Sequence, residues 1–273
     1  MQELKQAGEK PSKACDACGS CKAGDRIEPV RRLQGGDYVI ALAGNPNTGK
    51  STVFNALTGM RQHVGNWPGK TVVREEGAYR FREKVYRLVD LPGTYSLLSN
   101  SLDEEIARDF VLFGRPDCTV VVVDATALER NLSLVLQVLE ITDNVVVALN
   151  LMDEAERHAL KIDDRALARD LGVPVVPMAA RNRKGLVELA ATVSDVVSGL
   201  VVLRPKRLDG LDPELEKAVQ SLASALDRRY PGLDNSRWVA LRLLEGDPGV
   251  ENEVRRGTLG SAVHPEPSLA GGM

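Results

Sequence analysis

A strand, a glycine-bounded loop and a helix in immediate succession constrain this chain more than anything else in it. Residues 38–43 read as a β run, the loop Gly44-Asn45-Pro46-Asn47-Thr48-Gly49-Lys50-Ser51 matches GxxxxGKS, and residues 50–57 carry a helical pattern with Thr52 in its first turn. In that context the glycines let backbone N–H groups curl around an anion, and the helix N-terminus adds partial positive charge. Lys50 is placed to reach the β- and γ-phosphates of a nucleotide, and the Ser51 hydroxyl to coordinate Mg²⁺.

The rest of the chain repeats the alternation. Runs of β type at 71–81, 84–90, 119–124, 144–150 and 173–177 alternate with helical patterns at 102–113, 128–142, 154–171 and 185–200. This predicts an α/β fold, a doubly wound, mostly parallel P-loop sheet. Residues 120–123 and 145–149 are continuous apolar runs, as expected of parallel strands buried on both faces. Leu132, Val135, Leu136 and Leu139 form one stripe for docking a helix on the sheet. Past residue 201 the β pattern stops, and Asp212-Pro213 opens a helix that Tyr230-Pro231-Gly232 ends. A second helix over 236–245 and a third over 250–256 complete a small helical subdomain. The expected divisions are a flexible cysteine-containing arm over 1–36, a G domain over 37–200, the helical subdomain over 201–256, and a linker or disordered tail over 257–273.

Three further motifs sit at carboxyl ends of predicted strands, where such sheets bind ligands. Asp90-Leu91-Pro92-Gly93 supplies a carboxylate for the Mg²⁺ water shell and a glycine N–H for the γ-phosphate. In Asn150-Leu151-Met152-Asp153 the Asp153 carboxylate can accept the N1–H and N2 amino donors of guanine, a pair that adenine lacks. The wrong base leaves a buried carboxylate unpaired, so the motif selects GTP or GDP over adenine nucleotides. In Ala179-Ala180-Arg181 the Ala180 N–H is aimed at guanine O6. Together with Asn150, these residues make a guanine-nucleotide site.

The 35 Lys and Arg against 38 Asp and Glu leave a net charge of −3 and imply no nucleic-acid surface. No apolar run approaches the length that crosses a bilayer, and the polar N-terminus has no signal-peptide core, which points to the cytoplasm. Cys118 opens a β run and is expected buried and reduced. Cys15, Cys18 and Cys21 have CxxCxxC spacing, which suits three thiolates on one soft metal or part of an iron–sulfur cluster. Asp16, Asp25 or a partner protein would complete it. A redox-sensitive arm and a reduced tail without cofactor stand as the other readings.

The segment Val64-Gly65-Asn66-Trp67-Pro68-Gly69-Lys70-Thr71 carries GNWPGxT, a string far more specific than the generic motifs. With GNPNTGKST, DLPGTYSL and RWVALRLLEGD, it resembles the N-terminal G domain of bacterial ferrous-iron transport protein B over residues 37–250. The resemblance implies a GTPase whose residues 65–70, with Gly69, form switch I, and whose Thr71 contacts Mg²⁺ and the γ-phosphate. Residues 92–109 become switch II, and Asn47 the asparagine associated with K⁺ beside the phosphates, so that Lys50, Thr71, Gly93 and Asn47 carry hydrolysis. It further implies a dissociation-inhibitor-like helical domain and a polytopic membrane domain that carries Fe²⁺, in the same chain or another, which would hold this one at the inner face of the membrane. Self-association is compatible with that reading.

Thr94 replaces the water-orienting glutamine of many GTPases, so hydrolysis is expected to be slow or to use backbone groups of switch I to hold the water. Leu151 replaces the usual lysine of the base motif, so nucleotide is expected to leave readily. Arg74, Glu75 and Glu76 read as solvated charge. Two other classes share parts of the pattern, a stand-alone GTPase of ribosome assembly or RNA modification and a metal-responsive nucleotide switch.

Overall fold

The computed structural model describes residues 26–30, 36–60, 63–67, 70–98, 101–207, 212–231, 233, 235–257 and 259. Its centre is β2 (Tyr38–Gly44), flanked in parallel by β5 (Lys84–Asp90) and β6 (Cys118–Asp124). Beyond β6 lie β7 (Val145–Asn150) and β8 (Val175–Pro177), also parallel. On the other side β4 (Val73–Phe81) runs antiparallel to β5, and both β1 (Glu28–Pro29) and β3 (His63–Asn66) pair antiparallel to β4. The sheet is therefore mixed, with a parallel core and an antiparallel flank.

Alternation along the central strands sorts their side chains into two cores. Ile40, Leu42, Val120, Val122, Val146 and Ala148 face α1 (Lys50–Thr58) and α6 (Leu186–Val197). Ala41, Ala43, Val121, Val123, Val147 and Leu149 face α2 (Leu102–Phe113) and α3 (Leu128–Ile141). Both faces being covered explains why these strands read as unbroken apolar runs. Cys118 lies fully buried in the first core, where burial pushes its thiol far above the usual range.

The second core continues without a break into three C-terminal helices, α7 (Pro213–Arg229), α8 (Ser236–Leu244) and α9 (Pro248–Arg256), through Val219, Leu226, Trp238, Val239 and Val250. Asp212 caps α7 by accepting from the Glu214 N–H at 2.8 Å, with Pro213 in the first turn. Polar contacts follow the same seam. Arg237 reaches Glu140 of α3 at 3.5 Å, and Arg108 of α2 reaches Asp247 at 3.6 Å. Arg108 is 2 % exposed and also grips Asp109 at 2.8 Å, while Asp247 caps α9 through the Gly249 and Val250 N–H groups. A Cβ on Gly249 would stand 3.1 Å from the Arg108 guanidinium, so the glycine leaves the room that arginine occupies.

Four expectations change. The helical pattern over 154–171 divides into α4 (Met152–Arg157) and α5 (Asp164–Leu171), because the chain turns at Ala159 (φ 56°) and Asp163 caps a new helix at the Ala166 N–H. On α3 the fully buried face is Leu134, Val135, Val138, Leu139 and Ile141, while Leu132 and Leu136 are half-buried. Leu132 and Leu136 still pack against the second core, and with the sheet on one side and α2 on another the apolar face of α3 is broader than one stripe. Glu28 and Pro29, read as part of an unpaired arm, join the sheet, and residues 63–66, read as loop, form a strand.

The Arg108 seam makes a stability prediction. Truncating one partner of a buried ion pair leaves the others charged and unpaired, so Arg108→Ala should lower unfolding free energy by about 3–5 kcal/mol. Urea denaturation of both proteins checks this.

Candidate functional site

The phosphate end is built where β2 runs out. Gly49 (φ 82°) starts α1, and a Cβ there would lie 2.4 Å from the Asn150 amide nitrogen, so both conformation and space require glycine. Asn47 also takes a left-handed backbone (φ 67°). No side chain caps α1 and no acid lies in its first turn, so the helix start presents bare positive potential with exposed Ser51 and Thr52 upon it.

Register brings the metal-type carboxylate alongside. Leu42 pairs with Asp90 across β2 and β5, and the Asp90 carboxylate accepts from Lys50 Nζ at 2.5 Å. Burial raises the Asp90 carboxyl above its ordinary value, and the Lys50 charge opposes that. The next turn rests on the P-loop: the Thr94 N–H donates to the Gly44 carbonyl at 3.3 Å, and the ideal Cβ position of Gly93 is 3.5 Å from Pro46. Thr94 is buried, and its hydroxyl donates to the Ser96 carbonyl at 2.6 Å. Asn45 is buried too, with neither amide atom hydrogen-bonded.

The base end is organised by Asn150. Its Nδ2 donates to the Thr48 carbonyl at 2.9 Å and its Oδ1 accepts from the Ala180 N–H at 3.0 Å, tying the P-loop to the loop after β8. The Ala180 N–H, expected from sequence to face guanine O6, is thus directed at Asn150. Leu151 holds a left-handed conformation (φ 62°), the Met152 N–H bonds the Met178 carbonyl, and Ala179 pairs with Lys184. Asp153 receives the Asn182 amide on Oδ2 at 2.9 Å and Arg157 on the same oxygen at 3.4 Å. Arg181 is exposed beside them. Asn182 escaped the sequence reading, since nothing in a generic Arg-Asn-Arg loop signals its reach back to Asp153.

The segment between the two ends is anchored by Trp67. Its ring is buried, edge-on to Phe110 of α2 with centroids 5.4 Å apart, and Arg74 lies over it at 5.0 Å. Arg74 and Glu76 form a largely buried ion pair, with Arg87 at 3.8 Å from Glu76, so this pair is not solvated charge as the pattern suggested. Alternation on β4 gave them one face, and the packed Trp67 covers it. Lys70 pairs with Glu105 at 3.0 Å, and its neighbour Thr71 is exposed. Gly69, Cys15, Cys18 and Cys21 lie outside the described residues. Among the described residues no three His, Cys, Asp or Glu side chains gather as a metal cluster, and no helix is long and apolar enough to cross a membrane.

A P-loop between strand and helix, a buried carboxylate from the neighbouring strand and a carboxylate in the first turn of α4, just past β7, define the G domain of a P-loop GTPase. Residues 38–193 match the family model described as ferrous iron transport protein B, and residues 212–266 match that of the FeoB cytosolic helical domain. The chain belongs to the ferrous iron transport protein B family. It is 43 % identical over 217 residues to the Fe(2+) transporter FeoB of Salmonella typhimurium, and 43 % over 212 residues to that of Escherichia coli K12. Each match covers 76 % of this chain and 27 % of the relative, so the chain spans about a quarter of the length of these transporters. Among solved structures, the cytosolic domain of the T. maritima FeoB iron transporter in a GDP form superposes with a TM-score of 0.73 at 38 % identity, covering 80 % of this chain and 85 % of that one. The cytosolic domain of L. pneumophila FeoB gives 0.71 at 37 %, covering 82 % and 86 %.

If Asn150 is a brace before it is anything else, its loss must be felt without nucleotide. Asn150→Ala strips a partner from two backbone groups, and should cost about 1–3 kcal/mol of stability in the nucleotide-free protein. Thermal melting before and after exhaustive nucleotide removal is the check. An unchanged apo melting point contradicts it.

Proposed function

We propose that this chain binds and slowly hydrolyses GTP, and that the resulting switch movements regulate passage of ferrous iron through a membrane transport domain. The observation that carries the reading is the Lys50–Asp90 pair at the start of α1. A lysine and a carboxylate paired there are the two groups that an incoming nucleotide and Mg²⁺ would separate, the lysine turning to β- and γ-phosphates and Asp90 to the water shell of the metal. The bare helix start accepts the phosphates and the Gly93 N–H meets the terminal one. Ser51 and Thr71, both exposed, would supply oxygens for Mg²⁺, which when bound would neutralise phosphate charge.

Base recognition rests on the Asp153 carboxylate, with Met152 and Ala179 framing it and Asn150 bracing the floor. Hydrolysis is slow because the side chain after Gly93 cannot hold the attacking water: the Thr94 hydroxyl is buried and committed to Ser96. Asn47 would hold K⁺ beside the phosphates, where positive charge offsets what develops between them. The chain's place is the cytoplasmic face of the inner membrane, its partners the nucleotide and the transport domain.

On the N-terminal arm, the thiolates of Cys15, Cys18 and Cys21 supply a three-sulfur site for one soft metal or part of a cluster. Protein purified without oxygen should carry metal, or cluster absorption in the visible, that a Cys15/Cys18/Cys21→Ser variant lacks; equal metal content in both sinks that assignment.

GTP turnover decides the principal reading. The wild-type chain should release phosphate faster in KCl than in NaCl, and Asn47→Ala should turn over at one rate in both salts. If the variant keeps the K⁺ stimulation, the role given to Asn47 is wrong.

A further inference from the structure

The Asp153 carboxylate is held from the side by a residue that the GTPase motifs do not contain. Asn182 Nδ2 donates to Oδ2 at 2.9 Å, and Arg157, whose side chain is 71 % exposed, stands at 3.4 Å from the same oxygen. Asn182 is itself fixed. Its N–H donates to the Ala179 carbonyl at 2.9 Å, Arg183 turns left-handed directly after it, and Ala179 and Lys184 close the loop with paired backbone bonds. The Ala180 N–H ties the same loop to Asn150. The base-reading carboxylate and its neighbour are thus mounted on one braced unit.

We propose that Asn182 is a positioning residue for guanine selection, turning the Asp153 carboxylate edge-on so that both oxygens meet the base together. The proposal rests on the reading of Asp153 as the acceptor for guanine. Each carboxylate oxygen accepts about two hydrogen bonds. With Asn182 on one lone pair of Oδ2 and the exposed Arg157 held only at 3.4 Å on the other, a base donor has to displace Arg157 alone to share that oxygen, while all of Oδ1 remains for the second of two parallel N–H donors. Without Asn182 the carboxylate rotates, and a ligand with two donors loses more than a ligand with one. The effect therefore falls on the ratio between guanosine and inosine diphosphates, because inosine lacks the N2 amino group. A general loosening of the loop would weaken both alike.

The test is calorimetric titration of GDP, inosine diphosphate and xanthosine diphosphate into the full chain and its variants, with thermal melting as the folding check. Asp153→Asn examines the underlying reading: it should abolish GDP preference and favour xanthosine diphosphate, and if it does neither, that reading and this proposal fall together. With the reading intact, Asn182→Ala should weaken GDP roughly fivefold and inosine diphosphate by less, the scale of one ordinary hydrogen bond. Asn182→Gln, which keeps the amide, should recover part of the loss. In the Asp153→Asn background Asn182→Ala should change nothing, since the coupled partner is gone. Unchanged or tighter GDP binding by Asn182→Ala overturns the proposal, the tighter case meaning that Asn182 competes with the base. Equal losses for GDP and inosine diphosphate also overturn it.

Discussion

One buried side chain, Asn150, joins strands that are not neighbours. In the sheet β6 lies between β2 and β7, so the loops leaving β2 and β7 have no ladder between them. The Asn150 amide spans the gap, donating to Thr48 and accepting from Ala180, and Gly49 is glycine because that amide passes so close. Phosphate and base ends of the site thereby keep a fixed separation, the pre-organisation that lets a polar site select its ligand. The amide and the two backbone groups it serves are buried, so each bond lost leaves an unsatisfied group.

Trp67 and Thr71, four residues apart, are held very differently. Thr71 is exposed and its neighbour Lys70 is held by a half-exposed ion pair, but Trp67 is sealed between Arg74 and Phe110. Phe110 shares α2 with Arg108, whose guanidinium reaches Asp247 at the cap of α9. Any displacement of α2 that followed nucleotide exchange must either carry the helical subdomain with it or break a buried charge pair. The seam between α2 and the C-terminal helices is thus formed of packed rings and one desolvated ion pair.

Much of this was legible in the sequence because the strands are buried on both faces and each motif ends a strand. GxxxxGKS after an apolar run, DxxG after the β run 84–90, and NxxD after Val145–Leu149 were enough to lay out the parallel core, and the GNWPGxT string pointed to the family. What stayed hidden has common causes. Short edge strands such as Glu28–Pro29 and His63–Asn66 have too few residues to show a period, and their pairing is decided by β4. The burial of Arg74 and Glu76 depends on a tryptophan folding over them from another segment. Asn182 acts through a side-chain contact with Asp153, 29 residues away, which no local pattern encodes. The α3 stripe lies against the core as read, but the buried face extends past it to Leu134, Val138 and Ile141 because the helix packs on both the sheet and α2.

The central question is whether the loops at the ends of β2 and β7 select guanine. Isothermal titration of GDP and ADP, each with Mg²⁺, into nucleotide-free protein measures that directly. A carboxylate built to accept two donors should favour GDP by about three orders of magnitude or more. Comparable affinity for ADP would contradict it.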